Sequence, residues 1–130
     1  MVKVACGIMY NSEGKFLLGL RKKNLVWEFP GGKLEEGETL EECLKREWIE
    51  ELNLEIDVGN LVHTSTLNNY ECYFYVGKIV DYDKLEINVH EEVAFHEPGT
   101  LSNLKMFPGD KDIIYNLYKF HRSAEEVLSI

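Results

Sequence analysis

Disulfide frameworks, zinc sites and membrane spans are what this chain does not offer. Its three cysteines, Cys6, Cys43 and Cys72, are odd in number and far apart, which matches neither a bridged scaffold nor a zinc-binding spacing. They read as small core residues. No apolar run reaches bilayer-spanning length and no leader-like segment opens the chain, so the expected setting is the reduced cytoplasm. Basic charge is scarce too: 14 Lys and Arg face 23 Asp and Glu, a net charge of −9. That balance argues against a general nucleic-acid or membrane-surface binder. Repeats, linkers and low-complexity tracts are absent. A chain of 130 residues with 45% hydrophobic content is long enough for one globular domain, 1–130.

What the chain does have is concentrated between Gly31 and Leu54. Leu40 to Leu52 contains no Gly or Pro and reads as a helix. Thr39 and Glu42 have the spacing of a capping box, and Asn53 suits the left-handed residue that closes a helix. Leu40, Cys43 and Leu44 begin one face, and helical steps continue it through Glu47, Glu50 and Glu51. Leu44, Trp48 and Leu52 form an apolar ridge beside it. Three carboxylates crowded against a burying surface repel one another and lose hydration. A hard divalent cation, Mg²⁺ or Mn²⁺, relieves both costs; the plain alternative is a solvated acidic face. Gly31, Gly32 and Gly37 precede the helix and permit close backbone approach or positive φ.

These residues resemble the Nudix box: Gly32, five residues, Glu38, seven residues, then Arg46-Glu47-Trp48-Ile49-Glu50-Glu51-Leu52-Asn53-Leu54. The stretch Trp27-Glu28-Phe29-Pro30-Gly31-Gly32-Lys33 is most similar to the MutT branch, whose members hydrolyse nucleoside triphosphates. Two positions depart: Trp48 replaces an aliphatic residue and Asn53 replaces a glycine. The resemblance implies an α+β protein, an α/β/α sandwich around a mixed sheet with a box helix and a C-terminal helix. It implies Mg²⁺ (or Mn²⁺) held by Glu50, Glu51 and Glu47, with Glu47 as ligand or general base and a Gly31 or Gly32 carbonyl completing the shell. Glu38 and Arg46 would pair to orient loop and helix. A further acid is sought at Glu91 or Glu92, while His90 and His96 read as bystanders to a hard cation.

Strands are expected over Val2 to Met9, Phe16 to Leu20 (its hairpin partner), Glu55 to Val58, Leu61 to Leu67, Tyr70 to Val80 and Glu92 to Phe95. A weak strand is expected over Leu85 to Val89. Asp110 should cap a helix carrying Ile113, Ile114, Leu117, Tyr118 and His121, and Ser123 with Glu126 a last short one. Arg21, at a strand end, and Lys33 are the cations placed to meet phosphate. By the resemblance, Asp110 is positioned to read a base edge, with Val4 and Tyr70 as an apolar wall. The implied reaction is water attack on a triphosphate of the 8-oxo-dGTP or cytidine type, giving monophosphate and pyrophosphate. Two alternatives stay open. Tyr70 lies 16 positions beyond Leu54, roughly where dinucleoside polyphosphate hydrolases of this fold carry a tyrosine. A catalytically silent sensor domain should have lost box acids, and all are present. Monomer and homodimer are both compatible with the sequence.

Overall fold

The computed structural model describes residues 1–129. Its centre is a seven-stranded mixed sheet: β1 (Val2–Tyr10), β2 (Phe16–Leu20), β3 (Trp27–Glu28), β4 (Gly31–Lys33), β5 (Ile56–Leu67), β6 (Tyr70–Ile79) and β7 (Glu92–His96). The strands run in the order β3-β2-β1-β6-β5, with β4 added to β1 and β7 to β2. β1 and β6 pair in parallel from Val2↔Tyr70 to Tyr10↔Lys78, and the other pairings are antiparallel.

Alternation along β1 divides the core in two. Ala5 and Met9 face helix α1 (Leu40–Leu52), where they pack with Leu44, Trp48, Leu52, Leu54 and Ile56. Ile8 and Tyr10 face helix α2 (Asp110–Phe120), where they pack with Phe16, Phe74, Ile113, Ile114 and Leu117. Each helix buries one apolar stripe against one side of the sheet, which makes the expected α/β/α sandwich. A short helix α3 (Ala124–Leu128) follows, with the Ser123 side chain accepting from the Glu126 amide.

Four local expectations need revision. β2 touches β1 only at Tyr10↔Phe16 and pairs along its length with β7, because β4 already occupies β1 from Val4 to Cys6. The two short strands after the box helix are one strand, β5, with irregular register around Leu61. Leu85 to Val89 forms no strand. Instead the Glu86 and Asn88 amides donate to the Leu52 and Glu51 carbonyls, closing the C-terminal end of α1. Finally, Gly109 (φ 87°) caps α2, and Asp110 is its first helical residue, without a capping bond from its side chain. That releases the Asp110 carboxyl for another task.

The α1 caps are as expected. Thr39 and Glu42 bond reciprocally, at 3.1 and 2.9 Å, and Asn53 adopts φ 55°. The Asn53 amide side chain also donates to the Lys84 carbonyl at 3.0 Å, a bond that glycine would not make.

Candidate active site

Backbone proximity builds the site. A side chain at Gly31 would fall on the Ala5 carbonyl of β1, and one at Gly32 would fall on the Glu47 carboxylate. Both glycines therefore serve close approach, with positive φ confined in this stretch to Gly37. Trp48 is fully buried, and its indole N–H donates to the Pro30 carbonyl at 2.9 Å. The aromatic departure thus adds a polar tie between helix and glycine strand that an aliphatic residue lacks.

Arg46 is the organising cation. It grips Glu38 with two bonds of 3.0 and 2.7 Å, and donates to the Lys33 carbonyl at 3.1 Å. Its remaining nitrogen reaches Glu47 at 3.0 Å and Glu50 at 3.2 Å. Arg46, helped by the Glu35 amide, holds the Glu38 carboxyl down at about 2. Glu38 is only 15% exposed, so this is a forked internal pair rather than a weak surface contact.

The other acids move the opposite way. Burial raises Glu51 to about 8, and the charges of Glu47, Glu28 and Glu50 add to it, against a Gly31 backbone bond. Burial likewise raises Glu47, opposed by Arg46. Among the described residues no three His, Cys, Asp or Glu side chains already form a metal cage. The residues nonetheless fit a hard divalent cation: Glu51 Oε2 is buried without a hydrogen-bond partner, and its neighbours offer oxygens alone. Glu47, Glu50 and Glu51 would hold the ion, Glu47 and Glu50 turning from Arg46 to do so.

Beside these acids opens a cleft of about 610 Å³. Val4, Arg21, Gly31, Gly32, Lys33, Tyr70 and Asp110 all line it, so every residue expected at the substrate is brought together. Arg21 stacks over the Phe107 ring at 5.0 Å, and Lys33 lies 5.7 Å over the Tyr70 ring. The box acids adjoin the cleft across Gly32 and Glu28 rather than lining it. Glu91 and Glu92 are exposed, line no part of the cleft, and are not among the charges that perturb Glu51.

Two residues without an expected role stand at the cleft instead. Glu28, on β3, bonds the buried His90 imidazole at 2.9 Å and faces Arg21 at 3.9 Å. Its charge also bears on Asp110, which is 7% exposed and raised to about 7, first by burial and then by Glu28. The signal for Glu28 lay in its place beside Trp27 in the glycine-strand motif. That for His90 is purely tertiary.

An acid-bearing helix, a glycine strand and a deep cleft on one mixed α/β/α scaffold define the class: a nucleotide-handling hydrolase fold. The NUDIX domain family matches residues 2–117. The chain belongs to the Nudix hydrolase family, among its MutT-like members. It is 31% identical over 108 residues to an RNA pyrophosphohydrolase of Hydrogenovibrio crunogenus, covering 68% of this chain and 66% of that protein. It is 28% identical over 117 residues to the CTP pyrophosphohydrolase of Escherichia coli, covering 85% and 86%. Against an 8-oxo-dGTP diphosphatase of Buchnera aphidicola it is 43% identical over 56 residues, only 41% and 43% of the two chains. The solution structure of the E. coli ORF135 protein superposes with a TM-score of 0.73 at 26% identity, covering 92% and 91%.

Proposed function

We propose that this protein hydrolyses a nucleoside triphosphate to monophosphate and pyrophosphate, using Mg²⁺ (or Mn²⁺) and preferring cytidine nucleotides. The observation that carries the reading is Glu51: a half-buried residue whose Oε2 is buried and unpartnered, flanked by Glu47 and Glu50, beside a cleft lined by Arg21 and Lys33. When bound, the cation neutralises the phosphates and acidifies the attacking water. Arg21 and Lys33 hold the phosphate chain, and Arg46 with Glu38 fixes the glycine strand against the box helix. Glu47 takes a proton from the water as it attacks phosphorus in line, and the pyrophosphate leaves.

Two carboxyls in the cleft, Glu28 and Asp110, are the groups offered to a base edge. With Asp110 raised to about 7 it carries a proton over much of the neutral range, while Glu28, paired with His90, accepts. One donor beside one acceptor matches the N3 and amino group of cytosine. The Watson–Crick edge of guanine presents the same pattern through O6 and N1–H, so this pair of carboxyls does not by itself separate the two bases. The matched stretch of a relative named for CTP spans most of both chains, and this supports the cytidine choice. 8-Oxoguanine, turned to present O6 beside N7–H, is the second reading, since it too pairs an acceptor with a donor.

Incubation with Mg²⁺ and a panel of CTP, GTP, 8-oxo-dGTP and a dinucleoside tetraphosphate, with products resolved, is the test. CMP and pyrophosphate, lost on chelation, are expected. Turnover of the dinucleotide alone, or of no substrate, overturns the reading.

A further inference from the structure

The pairing of β2 with β3 sets two charged side chains and one gap on a single face of the sheet. Gly19 lies opposite Glu28, and Leu20 opposite Trp27. Side chains alternate along a strand, so Arg21 shares the face of Gly19 and meets Glu28 diagonally across the pair, within reach of long side chains. Gly19 contributes no side chain there, and the His90 ring takes the space instead: a Cβ on Gly19 would fall on the imidazole. His90, Glu28 and Arg21 therefore stand in a row along the cleft, which all three line. The row runs from fixed to free. His90 is 3% exposed, and the Glu91 amide next to it donates to the Leu20 carbonyl at 2.8 Å. Its Nε2 donates to Glu28 Oε2 at 2.9 Å while Nδ1 has no partner, so all the hydrogen bonding of the ring goes to Glu28.

The second Glu28 oxygen, Oε1, faces Arg21 Nε at 3.9 Å. The Arg21 backbone is tied on both sides, its amide donating to the Val26 carbonyl and its carbonyl accepting from the Leu25 amide, each at 2.9 Å. Its side chain is 33% exposed and long, and fixing the backbone does not aim it. Glu28 on the Nε side and the Phe107 ring, 5.0 Å beneath the guanidinium, do. We propose that Glu28 is a positioning residue for Arg21, with His90 as its fixed footing, so that the guanidinium presents Nη1 and Nη2 to a phosphate of the substrate. That edge of the fork matches two phosphate oxygens at once. The assignment rests on the nucleotide hydrolase reading above and gives neither Glu28 nor His90 a contact with the phosphates. His90 and Arg21 use two of the roughly four acceptor positions of the carboxylate, which leaves the others for a base edge. Charge alone predicts the reverse effect: a carboxylate near the phosphate chain repels it, so neutralising Glu28 would tighten anion binding. Losing the aim of Arg21 weakens it.

The test is steady-state hydrolysis of CTP with Mg²⁺, with inorganic pyrophosphate, which has no base, as inhibitor. Glu28→Gln keeps the shape of the side chain and removes its charge. It should raise both the KM for CTP and the Ki of pyrophosphate roughly fivefold, the size of a weakened bond to a charged group, with kcat moved far less. Arg21→Ala should cost more, and Glu28→Gln should add little on top of it, because both act on one contact. His90→Phe fills the Gly19 gap without the N–H and should reproduce part of the Glu28→Gln loss. If that variant does not fold, Glu28→Gln and its cycle with Arg21→Ala decide the matter. Unchanged or lower KM and Ki in Glu28→Gln, or the same loss with and without Arg21, overturns the positioning role and leaves the hydrolase reading standing. A wild-type protein that neither hydrolyses the nucleotides nor binds pyrophosphate with Mg²⁺ overturns that reading, and the assignment with it.

Discussion

At the scale of single residues, two acids raised by burial, the half-buried Glu51 and the buried Asp110, are expected to carry different duties. Glu51→Gln removes a ligand charge and should lower kcat by roughly a hundredfold or more while the circular dichroism spectrum stays unchanged. Near wild-type turnover would take Glu51 out of the metal shell. Asp110 should act on selection. As pH rises through about 7 it loses its proton, so the KM for CTP should climb above neutrality. Asp110→Asn keeps a donor and should flatten that profile, whereas Asp110→Ala should raise KM at every pH. The box acids were legible in the sequence because helical spacing places them on one stripe. Glu28 and His90 were not, because their partnership joins residues 62 positions apart, across β3 and the segment that precedes β7. The Asp110 position was legible but not its burial, since Gly109 took over the capping duty that an aspartate there would ordinarily perform.

At the scale of elements, β4 and α1 behave as one unit. Gly32→Ala sets a methyl against the Glu47 carboxylate, so it should cost turnover more than stability. Gly31→Ala sets one against the β1 backbone, which cannot yield as a side chain does. It should lower the unfolding free energy by about 2–4 kcal/mol, visible as a depressed Tm. Equal thermal losses from the two substitutions would refute this division of labour. The box helix was legible end to end, because capping box, apolar ridge and αL residue are all local signals. Strand pairing was less so. Adjacent strands joined by a tight turn favour a hairpin, but which edge of β1 remains available depends on β4, and that is decided by the glycine strand docking from farther along the chain.

At the scale of the whole molecule, metal-free protein should show a pH optimum of stability. Glu51 and Asp110 are raised to about 8 and about 7 from ordinary values of 4.5 and 3.8, so the folded state holds their protons longer than the unfolded chain. Their contribution is complete below those ordinary values and drains away as pH rises toward 8. Glu38, lowered to about 2, works in the other direction, its contribution failing as pH falls below 4.5. Thermal unfolding in chelator should therefore peak near pH ~5 and decline toward pH 8, on the order of 2 kcal/mol after discounting for partial exposure. Saturating Mg²⁺ should recover much of the loss at pH 8 by binding the folded state. A flat profile, or no effect of Mg²⁺, would mean these acids are better solvated than their surroundings suggest.

The segment from Leu85 to Val89, fastened to the last turn of α1, has a spectroscopic consequence. The Glu86 and Asn88 amides, though carried on an otherwise open loop, are committed to helix carbonyls. In deuterated solvent they should retain their protons far longer than neighbouring loop amides. Their lifetimes would then gauge how firmly the acidic tip of α1 is held, and a tightening on adding nucleotide would register there.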